Sequence, residues 1–384
     1  MPTVTVKTKP FKTMLKTFKD LNRKSERATV LVFNIDSENK FNVSLRTDVL
    51  TANAELQTES VSLEPEGVGT YLFSPEHLLK IPFNSDTISL TWTSERSPLV
   101  VSYGKISTAL RIAVGSDSLD KPDFPKDVPL VEVSIGLLYA IVKYLSLPFA
   151  YFKTASKDTM PIQFKNQDGF LVALSEDGYS LAKIKTKIAL AEPLDVKIPR
   201  YLLETLYGRF NSKETMPAKF GSKGFMAFMT DGVISISSTT VNDRVSDIDE
   251  ALKSQTWKST CEFEPSKLEK CLETLVNMIP DKDRSGAVVR VALSDKMNLD
   301  VSHKEVGDGT VEGVEGVSNI YNEQAVKEFV SSQHPVAFSE YTTLLGGLDI
   351  ANGLMHMSNR TTLFKGTDSR HDFDVTYLFP AVLG

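Results

Sequence analysis

The chain has 384 residues, more than one ordinary hydrophobic core serves, and suits two or three domains. Its 43 Lys and Arg against 49 Asp and Glu leave a formal charge of −6 at pH 7, which argues against a general nucleic-acid coat protein and confines any DNA contact to a local basic face. No apolar run approaches the roughly 20 residues of a membrane span, and the N-terminus alternates Thr, Val and Lys where a signal peptide carries an apolar block, so a cytoplasmic protein is expected.

In chain order, the hydrophobic period predicts a strand at 3–7, an amphipathic helix from Pro10 to Asn22, and strands at 29–35, 40–45 and 52–57. The order then restarts. A strand at 69–73 leads into a short helix, Ser74 to Lys80, with Ser at the N-cap and Pro at the first helical position, followed by strands at 87–92, 99–103 and 107–113. The Pro- and Asp-rich segment 117–129 reads as a domain boundary. Beyond it come a strand at 128–135, a helix at 137–152, and strands at 161–164, 170–174 and 179–188 around the turns Gln167-Asp-Gly169 and Glu176-Asp-Gly178. A strand at 194–198, a helix at 199–207 and strands at 217–220, 224–229 and 233–238 repeat the pattern, with Thr230-Asp-Gly232 as a turn. Even the local wording recurs, in Lys157-Asp-Thr-Met-Pro161 and Lys213-Glu-Thr-Met-Pro217. The acidic, polar stretch 242–255 reads as a second boundary. A strand at 257–263, a helix at 266–278 and strands at 287–293 and 298–303 follow, and the Gly- and Glu-rich segment 305–317 reads as flexible surface. The last copy is a strand at 335–338, a helix at 339–348 and strands at 353–358, 361–364 and 373–379. One strand-helix-strands unit, used repeatedly in pairs, predicts an α+β chain of three similar domains, each of two β-α-β-β-β units, at 1–126, 127–252 and 253–384.

Three segments carry a family resemblance. Val172-Ala-Leu-Ser-Glu-Asp-Gly-Tyr-Ser-Leu-Ala182 is similar to a Val-Ala-Thr-Asp-Gly-His-Arg-Leu-Ala turn, Tyr377-Leu-Phe-Pro-Ala-Val-Leu383 to a closing Tyr-Val-Val-Met-Pro-Met-Arg-Leu, and Asn34-Ile-Asp36 with Ser44-Leu-Arg-Thr-Asp48 to the first strands and their Thr-Asp turn. The family is the bacterial DNA sliding clamp, the β subunit of DNA polymerase III, and the chain resembles it over essentially its whole length. The resemblance implies the DNA clamp fold, with helices lining the inner face and sheets outside, in a head-to-tail homodimer. It further implies a non-enzymatic processivity factor without cofactor or metal, which encircles double-stranded DNA regardless of sequence and works with a DNA polymerase and a clamp loader. Tyr179-Ser180 in place of His-Arg, Ala381-Val382 in place of Met-Arg and the extra Gly384 depart from the pattern. They mark a divergent clamp and leave a phage origin open.

The first helix sorts its residues by face. Lys9, Lys12, Lys16, Lys19 and Arg23 recur every three or four positions, apart from the stripe Phe11, Leu15, Phe18 and Leu21, so a cation row stands opposite a core face. Like charges at this spacing repel, and a polyanion relieves them. DNA, with a phosphate charge about every 1.7 Å of axis, does so without sequence readout. Lys143, Lys153, Lys157, Arg200, Arg209, Lys267 and Lys270, on or beside the other helices, are further DNA-binding candidates under the resemblance. By the same resemblance a partner peptide inserts apolar anchors between domains two and three. Thr159, Pro161, Asp177, Gly178, Tyr179 and Leu181 are matched to one wall of that pocket, and Tyr377, Leu378, Phe379, Pro380, Ala381 and Val382 to the other.

Catalytic signatures are missing from the sequence: no HExxH, GxSxG or GxxxxGK[ST] occurs, and Gly346-Gly-Leu-Asp349 is too short for a nucleotide loop. Asp368-Ser-Arg-His-Asp-Phe-Asp374 gathers carboxylates and a histidine but reads as a solvated hairpin. His356 sits in an alternating strand without a nucleophile beside it. Cys261 and Cys271, ten apart with no CxxC pair, are expected as reduced thiols. Two other readings stay open on the residues: a monomeric DNA-clinging processivity subunit, separable by stoichiometry, and an α+β repeat enzyme with an unrecognised site.

Overall fold

A computed structural model of the chain describes residues 3–22, 30–35, 40–47, 50–61, 68–71, 75–92, 98–110, 130–145, 161–177, 180–207, 216–224, 226–239, 245–280, 283–284, 287–303, 307–323 and 326–382. The first repeat is β1 (Thr3–Lys7), α1 (Thr8–Asn22), β2 (Val30–Ile35), β3 (Phe41–Arg46) and β4 (Leu50–Leu56), with β5 (Thr58–Val61) appended. The second is β6 (Val68–Tyr71), α2 (Pro75–Leu79), β7 (Thr87–Thr91), β8 (Leu99–Tyr103) and β9 (Ile106–Leu110). The third is β10 (Val131–Ser134), α3 (Ile135–Tyr144), β11 (Pro161–Gln167), β12 (Phe170–Glu176) and β13 (Leu181–Ala189). The fourth is β14 (Asp195–Pro199), α4 (Arg200–Tyr207), β15 (Pro217–Lys223), β16 (Met226–Thr230) and β17 (Ile234–Thr239), after which α5 (Ile248–Lys253) stands outside the repeat. The fifth is β18 (Ser259–Phe263), α6 (Pro265–Met278), β19 (Val289–Leu293), β20 (Met297–His303) and β21 (Gly307–Val311), with β22 (Val317–Asn322) appended. The sixth is β23 (Phe329–Gln333), α7 (Pro335–Gly346), β24 (Gly353–Met357), β25 (Thr361–Asp368) and β26 (Phe373–Pro380).

Local sequence accounts for most of these elements. Phe11, Met14, Leu15, Phe18 and Leu21 recur at helical spacing, and all five are buried along α1. In β3 the pattern Phe-Asn-Val-Ser-Leu-Arg alternates buried and half-buried residues, as one pleated face on a core requires. Asp168 and Gly169 both take positive φ, 55° and 80°, in the two-residue turn between paired Gln167 and Phe170, the backbone twist that a tight hairpin needs.

The chain divides into two compact units, Met1–Tyr139 with Tyr201–Thr240, and Ala140–Arg200 with Val241–Gly384. The first contains a five-stranded sheet, β5-β1-β7-β8-β9, and an eight-stranded sheet, β10-β15-β16-β17-β4-β3-β2-β6. The second contains a nine-stranded sheet, β14-β11-β12-β13-β26-β25-β24-β18-β22, and a four-stranded sheet, β21-β20-β19-β23. Both long sheets are joined in the same way. The last strand of one repeat pairs antiparallel with the last strand of another, β4 with β17 and β13 with β26.

In the second unit the nine-stranded sheet is covered on both faces. One face packs on α7, where Tyr341 stacks on Phe379 at 4.3 Å and lies 5.3 Å from Tyr377, while Phe338 meets Phe364 at 5.5 Å. Aromatic pairs of this kind add about 0.5–1.5 kcal/mol each beyond their burial. The other face carries α5, whose Ile248 is fully buried among Val172, Leu174, Leu363 and Leu378.

Four expectations need correction. The strand expected at 335–338 is the first turn of α7, because Pro335 lacks an N–H and suits the first helical position, with His334 as N-cap; the strand lies one step earlier, in β23. The polar stretch 242–255 contains α5, started by the Asp247 side chain accepting from the Asp249 N–H at 2.9 Å. The segment 305–317 is not merely flexible surface: it contains β21, paired along its length with β20, and β22 follows it. The expected helix at 137–152 begins earlier, at Ile135, and the expectation for residues 146–152 lies outside the described residues.

Candidate functional site

The α5 face of the nine-stranded sheet is laid out in rungs. Strand register aligns Leu181, Leu378, Leu363, His356, Thr260 and Tyr321 in one row across β13, β26, β25, β24, β18 and β22. Residues two positions along share the face, so the next rung carries Leu174, Lys183, Thr376, Lys365 and Leu354, and the third Val172, Lys185, Asp374 and Thr367. An apolar rung therefore borders a basic one. Leu181, Val245, Leu252 and Trp257 pack half-buried around the apolar centre.

Polar contacts strap α5 over this face. Lys165 Nζ donates to Asp247 at 2.6 Å, Gln167 donates to Asp249 at 2.7 Å, Lys183 pairs with Asp249, and the Ser246 N–H donates to Glu176 Oε2 at 2.6 Å. Burial pushes the Asp247 and Asp249 carboxyls up, but the bonds from Lys165 to Asp247 and from Lys183 and Gln167 to Asp249 outweigh it and hold both below the ordinary carboxylate range. Between α5 and the basic rungs lies a groove of about 570 Å³.

The residues matched to the peptide pocket divide between the two faces. Leu181 and Leu378 sit on the α5 side, in the apolar cluster. Tyr377 and Phe379 point the opposite way, fully enclosed against Tyr341, with Tyr377 Oη donating to the Tyr144 carbonyl at 2.7 Å, so neither offers an exposed anchor surface. Alternation along β26 imposes this split, because successive residues of a strand face opposite sides. Asp177 is buried and caps its turn, Oδ1 accepting the Ser180 N–H at 2.6 Å. Pro161 opens β11 opposite Pro199 and is buried, whereas Pro380 is exposed. The tail is tied down: the Ala381 N–H donates to the Arg360 carbonyl at 2.8 Å, and the half-buried Val382 donates its N–H to the Ser332 carbonyl at 2.9 Å. Thr159, Gly178 and Tyr179 lie outside the described residues. Sequence reasoning missed α5 itself, although Asp247 followed by Ile248, Ala251 and Leu252 is a capped i, i+3, i+4 pattern.

Among the basic candidates, Lys9 and Lys16 are exposed on α1 as expected. Lys12 is engaged within its own unit, Nζ donating to the Phe83 carbonyl at 3.1 Å and lying 5.5 Å from the Phe83 ring centre, and Lys19 stands 3.5 Å from Glu76. Lys9, Lys12 and Lys16 share a cleft of about 920 Å³ with Lys7 of β1. Lys143 and Lys270 are exposed, and Lys267 pairs with Glu264 at 3.1 Å. Arg200 departs from expectation: it is 5 % exposed and donates to the Val142 carbonyl at 3.2 Å, so its guanidinium is spent on helix packing and not offered to a ligand. Arg23, Lys153, Lys157 and Arg209 lie outside the described residues.

The groups weighed for chemistry are structural. Asp368 is not solvated but fully buried, accepting the Asp349 N–H at 2.7 Å and holding the His371 ring at the β25–β26 hairpin. Burial pushes the Cys261 thiol up to about 12, which removes it as a nucleophile. Burial, with Lys365 nearby, pushes His356 down to about 4 beside the Trp257 ring. Among the described residues no cluster of His, Cys, Asp and Glu could hold a metal, and no helix is long and apolar enough to cross a membrane.

Joined sheets of this order, built from a repeated strand-helix-strands unit, are the DNA-clamp fold. The clamps to which this chain is similar are DNA polymerase III β subunits and their equivalents. It superposes on the DNA polymerase sliding clamp of Bacillus subtilis with a TM-score of 0.79 at 12% identity, covering 99% of each chain. The β subunit of Streptococcus pyogenes DNA polymerase gives 0.78 at 13% identity over 100% of both chains. DNA polymerase III subunit β of Pseudomonas aeruginosa gives 0.74 at 15% identity over 99% of both. No protein-family model and no curated protein sequence matches the chain.

Proposed function

We propose that the chain is a DNA sliding clamp, a non-catalytic cytoplasmic processivity factor of three domains, 1–126, 127–252 and 253–384, that encircles duplex DNA as a homodimer and tethers a polymerase after loading. The observation that carries this reading is an incomplete pattern in a clamp fold. Two long sheets join last strand to last strand, as β4 with β17 and β13 with β26. The last strands left over, β9 and β21, lie at sheet edges with one neighbour each among the described residues. Pairing β9 of one copy with β21 of a second repeats the join, and two such pairings close a head-to-tail ring with no free last strand. Ile106 on β9, 52 % exposed, fits an interface better than a solvated edge.

Lys9 and Lys16, with Lys143 and Lys270, supply cations suited to mobile phosphate contacts, which is what sliding requires. The apolar cluster around Leu181 and Leu378 is the place for a partner peptide, with α5 as its wall. The test is the mass of the particle in solution together with retention on circular and on linear DNA. A dimer retained on circles and lost from linear ends is expected, and Ile106→Asp should lower both dimer content and retention. A monomer that clings equally to both forms of DNA overturns the proposal in favour of a clinging subunit.

A further inference from the structure

The groove beside α5 has a charge pattern that packing leaves unanswered. Lys183 is neutralised by Asp249, and Asp374 accepts the Thr367 hydroxyl at 2.7 Å. Lys365 has no acidic partner among the described residues, and Lys185 has only the Phe170 ring, 5.3 Å from its Nζ. Both lysines line the groove, with Leu354, 36 % exposed, on its floor and Leu252 of α5 on its flank. Strand spacing puts the two lysines about 12 Å apart at Cα, two strands across and two residues along, a span that an extended peptide covers in three or four residues. The groove continues the apolar rung of Leu181 and Leu378 on the same sheet face.

We infer that this groove receives an acidic segment of the partner peptide, next to the apolar anchor that docks at Leu181 and Leu378. Carboxylates of the peptide meet Lys365 and Lys185, and an apolar side chain between them covers Leu354. Charge selects a peptide over nucleic acid here. A phosphate chain is anionic throughout and would run against Asp249 and Asp374 inside the groove, whereas a peptide can place carboxylates only where the lysines stand. The inference rests on the peptide reading of the apolar cluster, and it adds the chemical class of the residues flanking the anchor.

Fluorescence anisotropy on the full chain tests it with three probes at low salt: a short labelled peptide with a central Leu-Phe pair flanked by aspartates, the same peptide flanked by asparagines, and a single-stranded oligothymidylate. The aspartate peptide is expected to bind about five- to tenfold more tightly than the asparagine peptide, the effect of two half-exposed charge pairs. Lys185→Ala with Lys365→Ala should bring the two peptides within about twofold and leave the asparagine peptide unchanged. Lys365→Gln alone, which keeps the side-chain stem, should remove about half of the preference expressed as free energy. An aspartate preference that survives the double substitution overturns the inference while the anchor site stands. So does a double variant that loses oligothymidylate binding and keeps peptide discrimination. Failure of both peptides to bind the unaltered chain removes the peptide site itself, and this inference with it.

Discussion

Replacing Ile248 with Ala should detach α5 from the sheet and leave the rest of its unit folded. Ile248 is fully buried among Val172, Leu174, Leu363 and Leu378 and is the single completely enclosed side chain of a six-residue helix. Truncating a buried Ile to Ala costs about 2–5 kcal/mol. The other tethers are weaker: Asp249 is 41% exposed, so solvent screens its pair with Lys183, and such pairs contribute roughly 0.2–1 kcal/mol each. Against them stands the entropy of ordering the α5 backbone, about 1–2 kcal/mol per residue. A loss of about 3 kcal/mol therefore raises the undocked population roughly a hundredfold. Native-state hydrogen exchange reads this at the Ala251 amide, which donates to the Asp247 carbonyl at 3.1 Å. That amide should exchange roughly a hundredfold faster, while amides of β12 and β26 keep their protection. Unchanged Ala251 exchange, or a uniform loss of protection across the unit, would refute the view of α5 as a separately docked strap.

Lys9→Glu with Lys16→Glu should weaken DNA retention and lower the slope of log affinity against log salt by about one per lost contact, with the thermal midpoint unchanged because both side chains are exposed; an unchanged slope removes α1 from the DNA interface. Deleting Ala381–Gly384 removes the Ala381 and Val382 backbone bonds and should destabilise the fold by about 1–3 kcal/mol. The truncated protein should still dimerise and stay on circular DNA but no longer stimulate its polymerase; full stimulation would place the partner site elsewhere. The Asp247 and Asp249 carboxyls titrate below their ordinary value of 3.8 in the folded protein, so their contribution is complete above that pH and is lost as pH falls through the depressed values. Ala251 exchange, corrected for its intrinsic rate, should accelerate only below about pH 4, and Asp249→Asn should blunt that rise.

The repeat was legible in the sequence because it is written in local periods. Phe11 to Leu21 at helical spacing, the alternation of β3 and the Asp-Gly turn at 168–169 each depend on residues a few positions apart, and each is found where the sequence puts it. The exposed cations Lys9 and Lys16 follow from the same helical spacing. What chain-local patterns could not fix was which faces remain open. Tyr377 and Leu378 are adjacent in sequence, yet one is enclosed under α7 and the other meets α5, because register across β13, β26 and β25 decides the face. Arg200 reads as a helix cation until its proximity to the Val142 carbonyl is known, and Lys183, Lys185 and Lys365 become a cluster only when strands far apart in sequence are paired. Short α5, with one apolar turn in an acidic stretch, has too little periodicity to stand alone; burial of Ile248 and the ion pairs to β11 and β13 stabilise it, and those contacts exist only once the sheet beneath it has formed.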